Sequence, residues 1–154
     1  MRKSILLSLS RGASLVETML VLAVAVMILM LSIRFYQSTV YANQSNYLNS
    51  QIQAVSATME SFTQGVGSYA SISTSSAAAY INQIVKLPWA SASFTIGTVS
   101  STSYTVTISS VPAIVCNNTI LKLMGAAHFG ATPTCGSGAS AGSTATTLTY
   151  SYGP

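Results

Sequence analysis

From Leu15 to Ile33 the chain is apolar at every position except Glu17, Thr18 and Ser32. A run of that length is about what one helix needs to cross a hydrocarbon core. Past Arg34 the pattern opens. Tyr41, Leu48, Ile52, Val55, Met59 and Phe62 recur at helical intervals with Gln, Asn and Ser between them, which is the apolar stripe of an amphipathic helix. No Pro or Gly occurs between Gly12 and Gly65, so about 52 residues can run as a single helix of roughly 78 Å. The stripe requires a partner domain. A free-standing coiled coil is disfavoured, because the stripe is short and lacks flanking charges.

Beyond Gly65 the periods shorten. "ASISTSSAAA" reads as a connector with little structure of its own, and Ala77 to Leu87 as a short helix stopped by Pro88. In "FTIGTV" and "YTVTIS", Phe94 and Ile96, then Tyr104, Val106 and Ile108, alternate with polar residues, predicting a hairpin turned at "SSTS". Ile120, Leu121, Met124 and Ala127 fall at helical spacing behind Asn and Thr residues able to cap, which predicts a helix beginning just after Cys116. "TLTYSY", with Leu148, Tyr150 and Tyr152 on one face, predicts a last strand. The sum is an α+β chain: a long N-terminal helical stalk packed against a small antiparallel sheet head with a disulfide-bounded C-terminal region.

Composition narrows the chemistry. Charged residues make up 5% of the chain, against roughly 25% in a typical soluble domain, while Ser and Thr total 43; the surface must be neutral and hydroxylated. The formal charge of +4 leans on Arg2, Lys3 and Arg11, all ahead of the apolar run. Without them Arg34, Lys86 and Lys122 face Glu17 and Glu60, too few cations for the phosphate neutralisation that nucleic-acid binding needs. The only histidine, His128, has no acid near it in sequence, so the converging titratable groups of an active site are not expected. Asn43 and Asn117 open glycosylation sequons, a motif that is common by chance. For Cys116 and Cys135, two thiols cannot make a four-ligand zinc site. In an exported chain a disulfide is a better reading than free thiols, and it would stabilise the fold by roughly 3 kcal/mol.

Glu17 remains to be explained. A carboxylate inside a membrane helix costs on the order of 2.5–3.5 kcal/mol at the centre and less near an end, and marks function by default. An ordinary secretory signal would place a small-x-small cleavage site after the apolar run, where "SIRFYQ" stands. A plain anchor, with its N-terminus in the cytoplasm by the positive residues before it, leaves Glu17 without a purpose.

The basic leader ending in Gly12, followed by Ala13-Ser14-Leu15-Val16-Glu17 and an apolar helix, resembles the type IV prepilin signature, whose usual form is glycine and then F-T-L-I-E. The resemblance implies cleavage between Gly12 and Ala13, N-methylation of Ala13, and an assembly contact between the freed Ala13 amine of one subunit and Glu17 of its neighbour. Ala13 stands where Phe is commonest, a variability found in the type IVb branch, although the leader is shorter than that branch usually has. "LPW" before a hairpin and "VP" followed by a Cys are similar to the heads of type IVb major pilins such as those of thin or bundle-forming pili, in which two cysteines bound a variable C-terminal loop.

The domains implied are a leader over 1–12, an apolar assembly helix over 13–33, its amphipathic continuation over 34–64 and a head over 65–154. The implied partners are other pilin subunits, prepilin peptidase, an assembly platform with its ATPase machinery, and the inner membrane before export to an extracellular filament; no cofactor is implied. Minor pilins and type II secretion pseudopilins share the signature, but the calcium sites of the latter use several carboxylates, which this head lacks. A membrane-held adhesin that does not polymerise is the alternative from outside the polymer class.

Overall fold

The computed structural model describes residues 15–65, 67–129, 131–136 and 145–153. Its elements are α1 (Leu15–Thr63), a 3-10 turn (Tyr69–Ser71), α2 (Thr74–Ile84), β1 (Phe94–Val99), β2 (Tyr104–Val111), α3 (Ala113–Leu123), β3 (Ala131–Cys135) and β4 (Thr146–Tyr152). The chain separates into two compact units, one ending at Ser38 and the other beginning at Thr39. The fold class is α+β: a 49-residue helix, a four-stranded antiparallel sheet and a Cys116–Cys135 disulfide.

In the second unit the strands lie in the order β1-β2-β4-β3. Alternation decides the two faces. Phe94, Tyr104, Val106, Ile108, Leu148 and Tyr150 point inward and are buried, joined by Leu48, Ile52, Val55 and Met59 of α1 in one cluster. The stripe read from the sequence is therefore the helix's core face, except that Tyr41 is only partly buried and Phe62 stays exposed. On the other face the register places Thr95 opposite Thr107, Thr107 opposite Thr149 and Thr149 opposite Thr134, a row of threonines across all four strands. Hydroxyl pairs Thr105–Ser151 and Thr107–Thr149, each at 3.4 Å, reinforce it.

Several expectations are corrected. The Ser-rich connector is structured: Ser68 caps the 3-10 turn through Ala70 N–H at 3.2 Å, Tyr69 packs edge-on against Tyr104 with centroids 5.0 Å apart, and α2 already starts at Thr74. It ends at Ile84, three positions before the expected Leu87, because Val85 turns extended to reach the core and the residue before Pro88 disfavours helix. Helix α3 starts at Ala113, before Cys116, directly behind Pro112 and with no side-chain cap. Its buried face is formed by Ala113, Val115, Cys116, Thr119 and Leu123. Ile120 is partly buried, but Leu121 (73%) and Met124 (59%) are exposed and Ala127 lies past the helix end. Strand β3, "ATPTC", was not anticipated; Pro133 is tolerated because β3 is an edge strand.

Helices α2 and α3 sit toward opposite edges of the sheet, α2 packed on β1 and α3 on β3 and β4. Tyr47 of α1 donates to the Lys86 carbonyl beyond α2 at 2.8 Å. On the other side, Ser45 and Thr119 form a buried hydroxyl pair at 3.3 Å, and Lys122 bonds Asn46. Gly153 follows β4 at a φ of 155°, its N–H donating to the His128 carbonyl at 2.8 Å. A Cβ there would lie 2.6 Å from that of Ser103, so only glycine fits.

Candidate membrane and assembly segment

The first half of α1 meets the length and apolarity needed to cross a membrane, and among the described residues none of its most apolar stretch is buried. A helix of this kind brings its backbone polar groups into lipid already paired. The two hydroxyls in the stretch are paired as well: Thr18 donates to the Leu15 carbonyl at 2.9 Å and Ser32 to the Ile28 carbonyl at 2.8 Å. Neither carries an open donor into an apolar surrounding.

Glu17 lies in the first turn of α1. A carboxylate there faces the positive end of the helix dipole, a placement worth about 0.3–1 kcal/mol at an exposed site. Gly12 and Ala13, the residues of the expected cleavage and methylation, lie outside the described residues. At the far end, Arg34 follows the apolar run and shares a shallow groove with Met27, Met30 and Leu31. The Arg34 side chain has a long apolar stem that can lie over these neighbours while its charge stays in water. The signal for that contact was its spacing of three and four from Leu31 and Met30.

In the second unit, the Cys116–Cys135 disulfide joins α3 to the end of β3. Cys116 is fully buried and Cys135 partly so, so the bridge fastens the sheet's far edge to the core.

The polar chemistry of this unit is held by tyrosines. Tyr152 donates its hydroxyl to Glu60, and that bond, followed by burial and the Glu60 charge, pushes its phenol up to about 12. Burial is the largest cause of the rise at Tyr104 and the only one at Tyr150. All three therefore stay protonated at neutral pH; Tyr152 acts as a donor, while the hydroxyls of Tyr104 and Tyr150 meet no hydrogen-bond partner among the described residues and these two rings serve as packing groups. Among the described residues no three or more His, Cys, Asp or Glu share a site that could hold a metal. A groove of about 370 Å³ lined by Phe62, Ile72, Ala77, Tyr80 and three serines carries no charged group.

The arrangement is a helix long and apolar enough to cross a membrane, joined to a unit with few charges. No protein-family profile, curated protein or solved structure matches the chain.

Proposed function

We propose that this chain is a type IV prepilin: it enters the inner membrane through α1, is cut between Gly12 and Ala13, is methylated at Ala13, and polymerises through its apolar helix into an extracellular filament. The observation that carries the reading is an unbroken helix whose first half is apolar and exposed among the described residues, with a single carboxylate in its first turn, behind a basic leader that ends in glycine.

Assembly in this reading is transfer between two apolar surroundings, from lipid to a core of like helices, so burial of apolar area changes little and pairing decides register. A carboxylate and an amine taken from water offset one another's desolvation only when both are present and well placed. Glu17 of one subunit would meet the Ala13 amine of the next, and a subunit out of register would separate the two charges. Removal of the leader creates that amine, which ties assembly to processing. The partners required are the peptidase, an assembly platform with its ATPase, and further copies of the chain; adhesion, aggregation, motility and conjugation are the uses such a filament serves.

Two measurements test this. Mass spectrometry of the N-terminus of protein from cells should find a chain beginning at N-methylated Ala13; a chain retaining Met1 to Gly12 would overturn the proposal. Glu17→Ala should abolish filaments or their ordered register while membrane insertion persists. A membrane-held adhesin that does not polymerise would insert as well or better after the same change.

A further inference from the structure

β1 is an edge strand, and an edge strand turns a row of backbone N–H and C=O groups outward, onto which another chain can add. Register identifies those groups. Ser109 donates its N–H to the Ser93 carbonyl at 3.0 Å, and Thr95 opposes Thr107. Hydrogen-bonded pairs alternate along an antiparallel ladder, so Phe94 and Ile96 are the residues whose backbone groups face away from β2.

At Phe94 both groups are taken by one side chain. The Asn82 carboxamide accepts the Phe94 N–H at 2.8 Å and donates to the Phe94 carbonyl at 2.8 Å. This is the exchange that a residue of a fifth strand would make. The same amide nitrogen also donates to the Ala78 carbonyl at 2.9 Å, one turn back in α2, so the carboxamide is held by its own helix. After Ile96 the ladder bulges before Val99, and a bulge ends regular pairing. Ile96 is left as the single outward pair between the side chain and the bulge. The opposite edge is closed by other means: Pro133 in β3 has no N–H to offer, and the disulfide ties Cys135 to α3.

We propose that Asn82 is an edge lock: its carboxamide stands in for a neighbouring strand at Phe94 and prevents β1 from pairing with β1 of a second copy. The segment Phe94-Thr95-Ile96 combines an aromatic and two β-branched residues without charge, the composition that favours strand addition. Proteins commonly guard such edges with lysines, and β1 has none. With so few charges on the chain, repulsion between copies is weak, and closing the edge falls to hydrogen bonding. An apolar side chain at position 82 could pack on β1 equally well but would leave both Phe94 groups open.

The test uses the full chain in detergent and a synthetic peptide with the sequence of residues 92–99. The wild type should not bind the peptide measurably. Asn82→Ala should bind it at least roughly tenfold more tightly and should gain the infrared signature of intermolecular strands as its concentration rises. A lysine at the exposed outer-face position, in Asn82→Ala/Thr95→Lys, should reverse both effects, which mere loss of local structure would not allow. A folded Asn82→Ala that neither binds the peptide nor gains that signature would overturn the proposal, as would peptide binding by the wild type. Should Asn82→Ala not fold, amide exchange in the wild type decides: the Phe94 N–H should exchange at least roughly tenfold more slowly than that of Ile96, and equal rates would overturn the lock.

Discussion

Replacing both Cys116 and Cys135 by alanine removes the only covalent tie between α3 and β3 among the described residues. Alanine is the right replacement because Cys116 is fully buried, and a serine hydroxyl there would add its own desolvation cost. The two cysteines are 19 positions apart. A loop of that size, freed in the unfolded chain, restores entropy worth about 3 kcal/mol at room temperature. For a unit of roughly a hundred residues each kcal/mol shifts the melting temperature by about 4 °C, so the variant should melt about 12 °C below the oxidised wild type. Scanning calorimetry in detergent on oxidised wild type, reduced wild type and the variant measures this. The last two should agree, because both lack the tie and keep the packing. A shift under about 3 °C, or a comparable difference between reduced wild type and variant, would refute the chain-entropy account and place the bridge's contribution in the folded state.

The remaining predictions concern the core and its tyrosines. Ile52→Ala removes a fully buried side chain from the core cluster and should cost about 2–5 kcal/mol in denaturant titration. Phe62→Ala, at an exposed position with one edge-on contact to Tyr80, should cost no more than about 1.5 kcal/mol. Tyr150→Phe deletes a buried hydroxyl with no partner among the described residues and should be neutral or stabilising by about 1 kcal/mol in the same titration. Tyr152, with its phenol raised from 10.0 to about 12 in the folded state, favours the fold while protonated; that stability is intact below pH 10 and is lost as pH rises toward 12. Alkaline melts followed by circular dichroism should show the decline beginning near pH 10, and Tyr152→Phe should soften it.

Much of this fold could be read from the chain because its strongest signals are local. A helix without Pro or Gly, a stripe at spacings of three and four, and two alternating runs around a Ser-rich turn each carry their own period, and α1, β1, β2 and β4 follow them. The errors came where a distant partner sets the phase. Cys116 must face Cys135 across α3, which rotates the helix so that Leu121 and Met124 face outward, and periodicity alone has no knowledge of that tie. β3 was missed because a proline in a short run argues against a strand, although at an edge the missing N–H points where no neighbour exists. Asn82 was invisible for the same reason, since its partners on Phe94 lie twelve positions away. Within the candidate segment, the apolar span and the place of Glu17 inside it were legible from composition and position. The groove that Arg34 shares with Met27, Met30 and Leu31 required its neighbours on the helix to be seen.

The threonine row that spans the sheet carries one more implication. A face wetted by alcohol groups, with nothing on it that titrates or gathers counterions, holds its water in the same way in acid, at neutrality and in brine. Whatever environment this head is exposed to, that side of it should remain equally hydrated.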